Sequence, residues 1–366
     1  MPGDPVEPDA GGEDLAVLIY TSGTEGDPKG AMLSHRALLA NHEQLAAVDP
    51  APITSDDVLL LALPLFHAYG LNSGLGAVAF HGATGVLMER FDPVEALRLI
   101  AAHRVSAVVG VPPMYVAWSL VPDFGERFAS VRLAVSGAAP LDAAAAARFQ
   151  AATGQPVFEG YGLTETGPVL TSALASPVPK TGSIGRPLPG VSIKLVASGG
   201  EEIALIEDDF DDDAPGSPGT DPGEIVARGA NLFSGYWPDG RHGPAPDGWW
   251  STGDVAYADG DGDLFLVDRL RELILVSGFN VYPAEIEQVL QAHPAVLEAA
   301  VLGFPHPYTG QTVKAFVVTS GPVTTEDLLR YCERNLARFK CPTAIEFVPS
   351  LPHSATGKVR KSALRG

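Results

Sequence analysis

Residues 20–30, YTSGTEGDPKG, put the hydroxyls of Thr21, Ser22 and Thr24, three glycines (Gly23, Gly26, Gly30) and Lys29 into one short loop. Glycines let the backbone approach a ligand closely, hydroxyls donate to phosphate oxygens, and the lysine adds charge, so the stretch is suited to cradling phosphate. An apolar run, Leu15 to Ile19, precedes it, and a helix-like segment starting at Ser34 follows. It is not a Walker loop, because Pro28 precedes the lysine and Gly30 follows it. Two further Gly-containing stretches carry polar groups, Ser136 to Pro140 and Glu159 to Glu165.

Those loops need a frame. From Leu15 to about Glu165 short apolar runs (58–63, 86–88, 107–111, 131–135) alternate with helical patterns (71–80, 93–103, 141–153). Apolar strands separated by helices imply a mostly parallel α/β layer, with ligands at the carboxyl ends of the strands, where these loops fall. From Gly182 the texture changes to short strands with Gly, Pro and Asp turns, a smaller β-rich unit. A compact α/β pattern returns at Arg271, with helices near 283–292 and 325–337 and strands near 297–302 and 313–318. The expected organisation is a flexible terminus (1–14), a nucleotide-binding α/β subdomain (15–181), a β-rich subdomain (182–270) and a mobile C-terminal domain (271–366). Residues 201–223, acidic and rich in Gly and Pro, are expected to form a disordered surface loop.

Composition narrows the partners. The 366 residues are 46% hydrophobic, enough to fill real cores. A net charge of −20 argues against nucleic acid, which is bound through clustered Lys and Arg. Charge is uneven, however: residues 201–213 hold eight acids, and residues 330–366 hold eight bases against Glu333 and Glu346. A basic tail on an acidic chain points to small polyanionic ligands. Cys332 and Cys341 are too few for a thiolate metal site. No apolar run has the length of a membrane span and the start lacks signal-peptide character, so a cytoplasmic location is expected.

Eight motifs stand in order: YTSGTEGDPKG (20–30), PLFHAYG (64–70), SGAAPL (136–141), EGYGLTET (159–166), GSIGRPLPG (182–190), STGD (251–254), VDRLRELILVSGFNVYPAEIE (267–287) and SATGKVRK (354–361). In this set the chain resembles the adenylate-forming superfamily, nearest to the fatty or aryl acyl-CoA ligases. The resemblance implies ATP, Mg²⁺ and coenzyme A as reactants. A carboxylate attacks the α-phosphorus of ATP to give an acyl-adenylate and pyrophosphate, and a thiol then displaces AMP. It implies that Thr21, Ser22, Gly23, Thr24, Gly26 and Lys29 hold phosphates, with Glu165 on Mg²⁺ and Thr164 on phosphate. Gly137, Ala138, Glu159, Gly160 and Tyr161 would surround adenine, and Asp254 with Arg269 the ribose. Lys358 would meet the charge of the adenylation transition state. His67 and Gly162 would line the acyl pocket, Ser277, Gly278 and Phe279 the coenzyme A channel, and Arg271 would be the hinge on which the small domain turns between half-reactions.

Two departures matter. The long segment that usually precedes the phosphate loop is missing, so the resemblance covers about the last two-thirds of the family pattern; exposed apolar faces, and with them self-association or a partner chain, are expected. A misassigned start or an expressed fragment would account for the gap equally well. Glu25 stands where relatives have Ser or Thr, and must point away from phosphate or contact Mg²⁺. No Asp lies between Pro64 and Phe80 to pair with a substrate ammonium, which favours an acid without an α-amino group. Three readings stay open: a coenzyme A ligase, a loader of carrier-protein thiols, and an inactive nucleotide-binding or interaction protein.

Overall fold

The computed structural model describes residues 11–21, 28–197, 199–203, 219–353 and 359–365. Its largest sheet has seven strands in the order Thr84–Leu87, Val58–Leu61, Ala107–Gly110, Leu133–Ser136, Phe158–Gly162, Val169–Ser172 and Arg186–Pro187. The first five run parallel and the last two antiparallel. Helices cover the parallel part because the sequence supplies both their start signals and their apolar stripes. In Pro93–His103 the Asp92 carboxylate accepts from the N–H groups of Val94 and Glu95, and Ala96, Leu97 and Ile100 are buried; Arg104, at φ 52°, ends it. Beneath these helices Tyr115, Trp118, Phe128 and Phe149 meet edge to face with centroids 5.1–5.5 Å apart. Each such pair adds about 1 kcal/mol beyond the area it buries.

The phosphate loop does not open directly onto a helix. Leu15–Thr21 and Lys29–Ser34 form an antiparallel pair in register Thr21 to Lys29, and only then does the helix His35–Ala46 begin, capped by the Ser34 hydroxyl. A short Gly-rich loop flanked by two apolar runs is a hairpin signal, and cross-strand pairing prevailed over the strand-to-helix reading. The expected helix 71–80 is also modified: Tyr69–Gly76 is π-helical and only Ala77–His81 is α-helical. A side chain at Gly70 would sit 2.4 Å from the Pro64 carbonyl, so that glycine allows the wide turn to pack closely.

An antiparallel sheet follows, in the order Glu202–Ile203, Ser192–Val196, Gly223–Arg228, Trp250–Ala258 and Leu264–Arg269. It is tied to the large sheet where the Ile184 N–H donates to the Leu264 carbonyl and the Leu264 N–H to that of Gly185. The C-terminal part is built on the hairpin Val296–His306 with Gly310–Thr319, joined by Ala344–Phe347 in parallel and packed by the helices Pro283–Gln291 and Thr325–Asn335. The acidic stretch read as a loop lies largely outside the described residues. Among those described, no helix is long and apolar enough to cross a membrane.

Candidate functional site

Glu165 sits in the short 3-10 turn Thr164–Thr166, just after Phe158–Gly162, the last of the parallel strands, with only 8% of its surface exposed. Three buried asparagines hold this turn. Asn72 donates to the Gly167 and Leu38 carbonyls at 2.7 and 3.1 Å; Asn231 donates to the Thr166 carbonyl at 2.7 Å; Asn41 brackets Val169, accepting from its N–H and donating to its carbonyl. His42 and Gln44 complete the network, bonding Asn72 and Asn231. Burial holds the His42 imidazole below its ordinary range, so it serves as a neutral partner. A fully bonded interior network of this kind rigidifies what it surrounds.

The side chain of Glu165 has one partner among the described residues: the Tyr236 hydroxyl donates to its Oε1 at 2.6 Å. Burial and the Glu165 charge push the Tyr236 hydroxyl above its ordinary pKa, so it remains a donor. On the other side of the Tyr236 ring lies Lys29, its Nζ 5.2 Å from the centroid. Thr21 faces Lys29 across the hairpin, its hydroxyl donating to the Lys29 carbonyl at 3.4 Å. Ser22, Gly23, Thr24, Gly26 and Lys358 lie outside the described residues.

A second carboxylate closes the other side. Asp254, 7% exposed, accepts from the Tyr161 hydroxyl at 2.7 Å on Oδ2 and pairs with Arg269 at 3.2 Å on Oδ1. Burial, then the Asp254 charge, raise the Tyr161 pKa well above its ordinary range. Tyr161 therefore directs its hydroxyl to Asp254 while its ring belongs to the core beneath the antiparallel sheet.

The glycines answer first to backbone geometry. A Cβ at Gly162 would fall 1.8 Å from the Pro168 carbonyl, one at Gly160 3.1 Å from that of Thr171, and one at Gly137 3.1 Å from the Tyr69 ring. Ala138 adopts φ 69°, a left-handed conformation that an alanine reaches only under strain. Glu159 accepts from the N–H groups of Leu141 and Gly182; burial raises its pKa against those two bonds. His67 precedes the π-helix and its Nδ1 accepts from the Tyr69 N–H at 3.2 Å. The hydroxyls of Tyr69, whose ring lies against Gly137, of Ser136 and of Ser73 are buried without a partner among the described residues.

At the junction, Arg271 lies in the turn Leu270–Glu272 between Leu264–Arg269 and Ile274–Val276. Ser277 and Gly278, at φ 52° and 85°, form the two-residue turn of a tight hairpin, and Phe279 stacks on Phe339 at 4.8 Å. Lys361, three residues beyond Lys358, pairs with Glu272 at 2.6 Å and Glu287 at 2.8 Å. The turn Lys361–Leu364 is thus tied to Glu272 and Glu287.

Tyr236, Lys361 and the three asparagines were not among the residues picked out in sequence. Tyr236 gave no signal beyond a tyrosine between Gly235 and Trp237. Asn41, in a helix with alanines and leucines around it, could have been noticed as a polar residue on a buried stripe.

This donor set fits a particular kind of ion. Mg²⁺ is commonly held by one or two carboxylates together with substrate phosphates. Among the described residues no cluster of three His, Cys, Asp or Glu could hold a resident metal, whereas a lone Glu165, sharing Tyr236 with Lys29, suits a Mg²⁺ that arrives on a polyphosphate.

Comparison with known proteins identifies the family. The chain is 37% identical over 366 residues to a long-chain-fatty-acid–CoA ligase of Yersinia pestis, covering 98% of this chain and 63% of that protein. It is 36% identical over 368 residues to a feruloyl-CoA synthase of an Amycolatopsis species, covering 99% and 72%. It superposes with a TM-score of 0.83 on O-succinylbenzoate coenzyme A synthetase from Bacillus subtilis in complex with ATP and magnesium ion, at 31% identity, covering 99% of this chain and 72% of that one. It thus spans somewhat under two-thirds of the fatty-acid ligase and nearly three-quarters of the other two. The AMP-binding enzyme family matches residues 2–237 and its C-terminal domain residues 285–358. On the motifs, the fold and these matches, the chain belongs to the AMP-binding enzymes, the adenylate-forming superfamily.

Proposed function

We propose that the chain is an ATP-dependent, AMP-forming acid–thiol ligase that activates a fatty or related carboxylic acid and passes it to coenzyme A. The observation that carries this is Glu165: a buried carboxylate with one oxygen bound by Tyr236 and the other without a partner among the described residues, with Lys29 over the ring of that same tyrosine. When bound, Mg²⁺ would neutralise phosphate charge and help orient the β- and γ-phosphates. The phosphate loop and Lys29 hold those groups, and Asp254 with Arg269 takes the ribose hydroxyls. An acid oxygen then attacks the α-phosphorus, the bond to the β-phosphate breaks, and pyrophosphate leaves. Lys358 meets the negative charge that develops. In the second step the thiol sulfur attacks the acyl carbon and AMP departs. With Lys361 paired to Glu272 and Glu287, a turn at Arg271 would carry Lys358 away and bring Ser277 to Phe279 toward the acyl-adenylate.

The test is acid-dependent pyrophosphate release over a panel of fatty and aryl acids, with AMP formed only when coenzyme A is added. A folded sample that shows neither defeats the reading. A phosphopantetheinylated carrier supplied in place of coenzyme A decides the acceptor, and ATP binding without turnover, unchanged by Lys358→Ala, favours the inactive reading. The orphan hydroxyls of Tyr69, Ser73 and Ser136 favour, among related acids, those bearing a hydrogen-bonding group over a plain alkyl chain. Leu39, Leu75, Phe80 and Leu87 are large exposed apolar residues, which supports self-association or a partner chain; size-exclusion chromatography with light scattering tests this, a monomeric result counting against it.

A further inference from the structure

We infer that Tyr236 is a positioning residue that sets Glu165 and Lys29 as one unit for the metal–nucleotide complex; the inference rests on the ligase reading above. Three observations carry it. The Tyr236 hydroxyl donates to Glu165 Oε1 at 2.6 Å, which fixes the rotation of the carboxylate and directs its other oxygen elsewhere. The ring presents its face to Lys29 Nζ at 5.2 Å, a cation–π contact that gives the ammonium a preferred place on the same tyrosine that holds the carboxylate. The strip that bears the tyrosine is bonded to both sides: Phe233 N–H donates to the Glu165 carbonyl at 2.9 Å, Met32 N–H to that of Gly235 at 3.1 Å, and Trp237 N–H to that of Gly30 at 2.8 Å. Phe233, almost fully buried, meets the Tyr236 ring at 5.0 Å and holds its plane.

Tyr236 thus stands between an anion and a cation of opposite duty, hydrogen-bonded to one and face-on to the other. Without its hydroxyl the carboxylate is free to turn toward the ammonium, and the two would neutralise each other instead of meeting the metal and the phosphates. The consequence is specific. The tyrosine should matter for the nucleotide with its metal and hardly at all for the bare nucleotide, since Lys29 keeps the ring face when only the hydroxyl is removed.

The experiment is titration calorimetry of the whole chain and of Tyr236→Phe with ATP, once with excess Mg²⁺ and once in EDTA, with thermal melting of both proteins as the check on folding. The expected result is a loss of about tenfold in affinity for ATP with Mg²⁺, the size of one hydrogen bond to a charged group, with binding in EDTA within about twofold and an unchanged melting temperature. In a Glu165→Gln background the same substitution should add nothing further, because the two residues act as one. Unchanged affinity with Mg²⁺, an equal loss in both media, or additive effects in the double variant each overturn the inference and leave the ligase reading intact. Wild-type binding of ATP that is indifferent to Mg²⁺ overturns the metal role of Glu165 and the inference with it.

Discussion

Glu165, in a turn after a strand, and Asp254, in the middle of one, are both buried carboxylates, yet their oxygens are treated in opposite ways. Among the described residues Glu165 has one donor, Tyr236, and an oxygen left over; Asp254 has a donor on each oxygen, Tyr161 and Arg269. A third carboxylate, Asp57, marks the far end of the scale. It accepts from Thr54, Ser106 and Arg132, and although burial pushes its pKa up, those bonds outweigh it and hold it at about 2. The series teaches that buried carboxylates alike in exposure differ in how many donors they already hold, and hence in how readily they could take a ligand. An oxygen with no protein donor can take a metal directly. One that is already bonded must exchange a protein partner for a ligand hydroxyl, and the net gain is correspondingly small.

That comparison can be broken at each carboxylate. The largest effect is expected at Glu165: Glu165→Ala should lower acid-dependent pyrophosphate release by about 10²- to 10³-fold, comparable to removing a preplaced charge stabiliser, and a Mg²⁺ titration should show that added metal does not restore it. Asp254→Ala should raise the KM for ATP by roughly 10- to 100-fold while leaving 2′,3′-dideoxy-ATP nearly unaffected, because only the hydroxylated sugar uses the carboxylate. Equal losses for both nucleotides would remove Asp254 from the ribose role.

At Asp57 the effect should fall on stability alone. Its pKa is about 2 in the folded chain against an ordinary value of 3.8, so its contribution is present above about pH 4 and is lost as acid protonates it on the way down to about pH 2. Asp57→Asn should cost about 1–3 kcal/mol in urea melts near neutral pH, since it removes the charged acceptor that Thr54, Ser106 and the half-exposed Arg132 share, and should flatten that acid dependence. The smallest effect separates competition from support at Asp254. Tyr161→Phe removes the hydroxyl that a ribose must displace, and ATP binding should tighten by roughly two- to tenfold. Weaker binding would mean instead that the tyrosine orients the carboxylate for its ligand.

Much of the frame was legible. The helix 93–103 carries an Asp cap, a proline in its first turn and an apolar stripe, and it forms over those residues; the strands of the parallel layer lie within about two residues of their apolar runs. The hairpin around the phosphate loop and the π-helical turn at Tyr69 were not, because both depend on what the chain packs against: a facing strand in one case and the Pro64 carbonyl in the other. The expected compact α/β pattern after Arg271 is there in its helices, but its strands pair mainly antiparallel, a choice of partner that apolar runs do not encode.

The site divides in the same way. Local sequence determined the chemistry on offer, since glycines, hydroxyls, a lysine, two carboxylates and a basic tail occur in eight motifs whose order alone identified the family. Tertiary structure decided which oxygens remain open. Tyr236 lies 71 residues from Glu165, and Tyr161 lies 93 from Asp254. A hydrogen bond is set by a separation of about 3 Å in space, and separation along the chain carries no trace of it until the strands have packed.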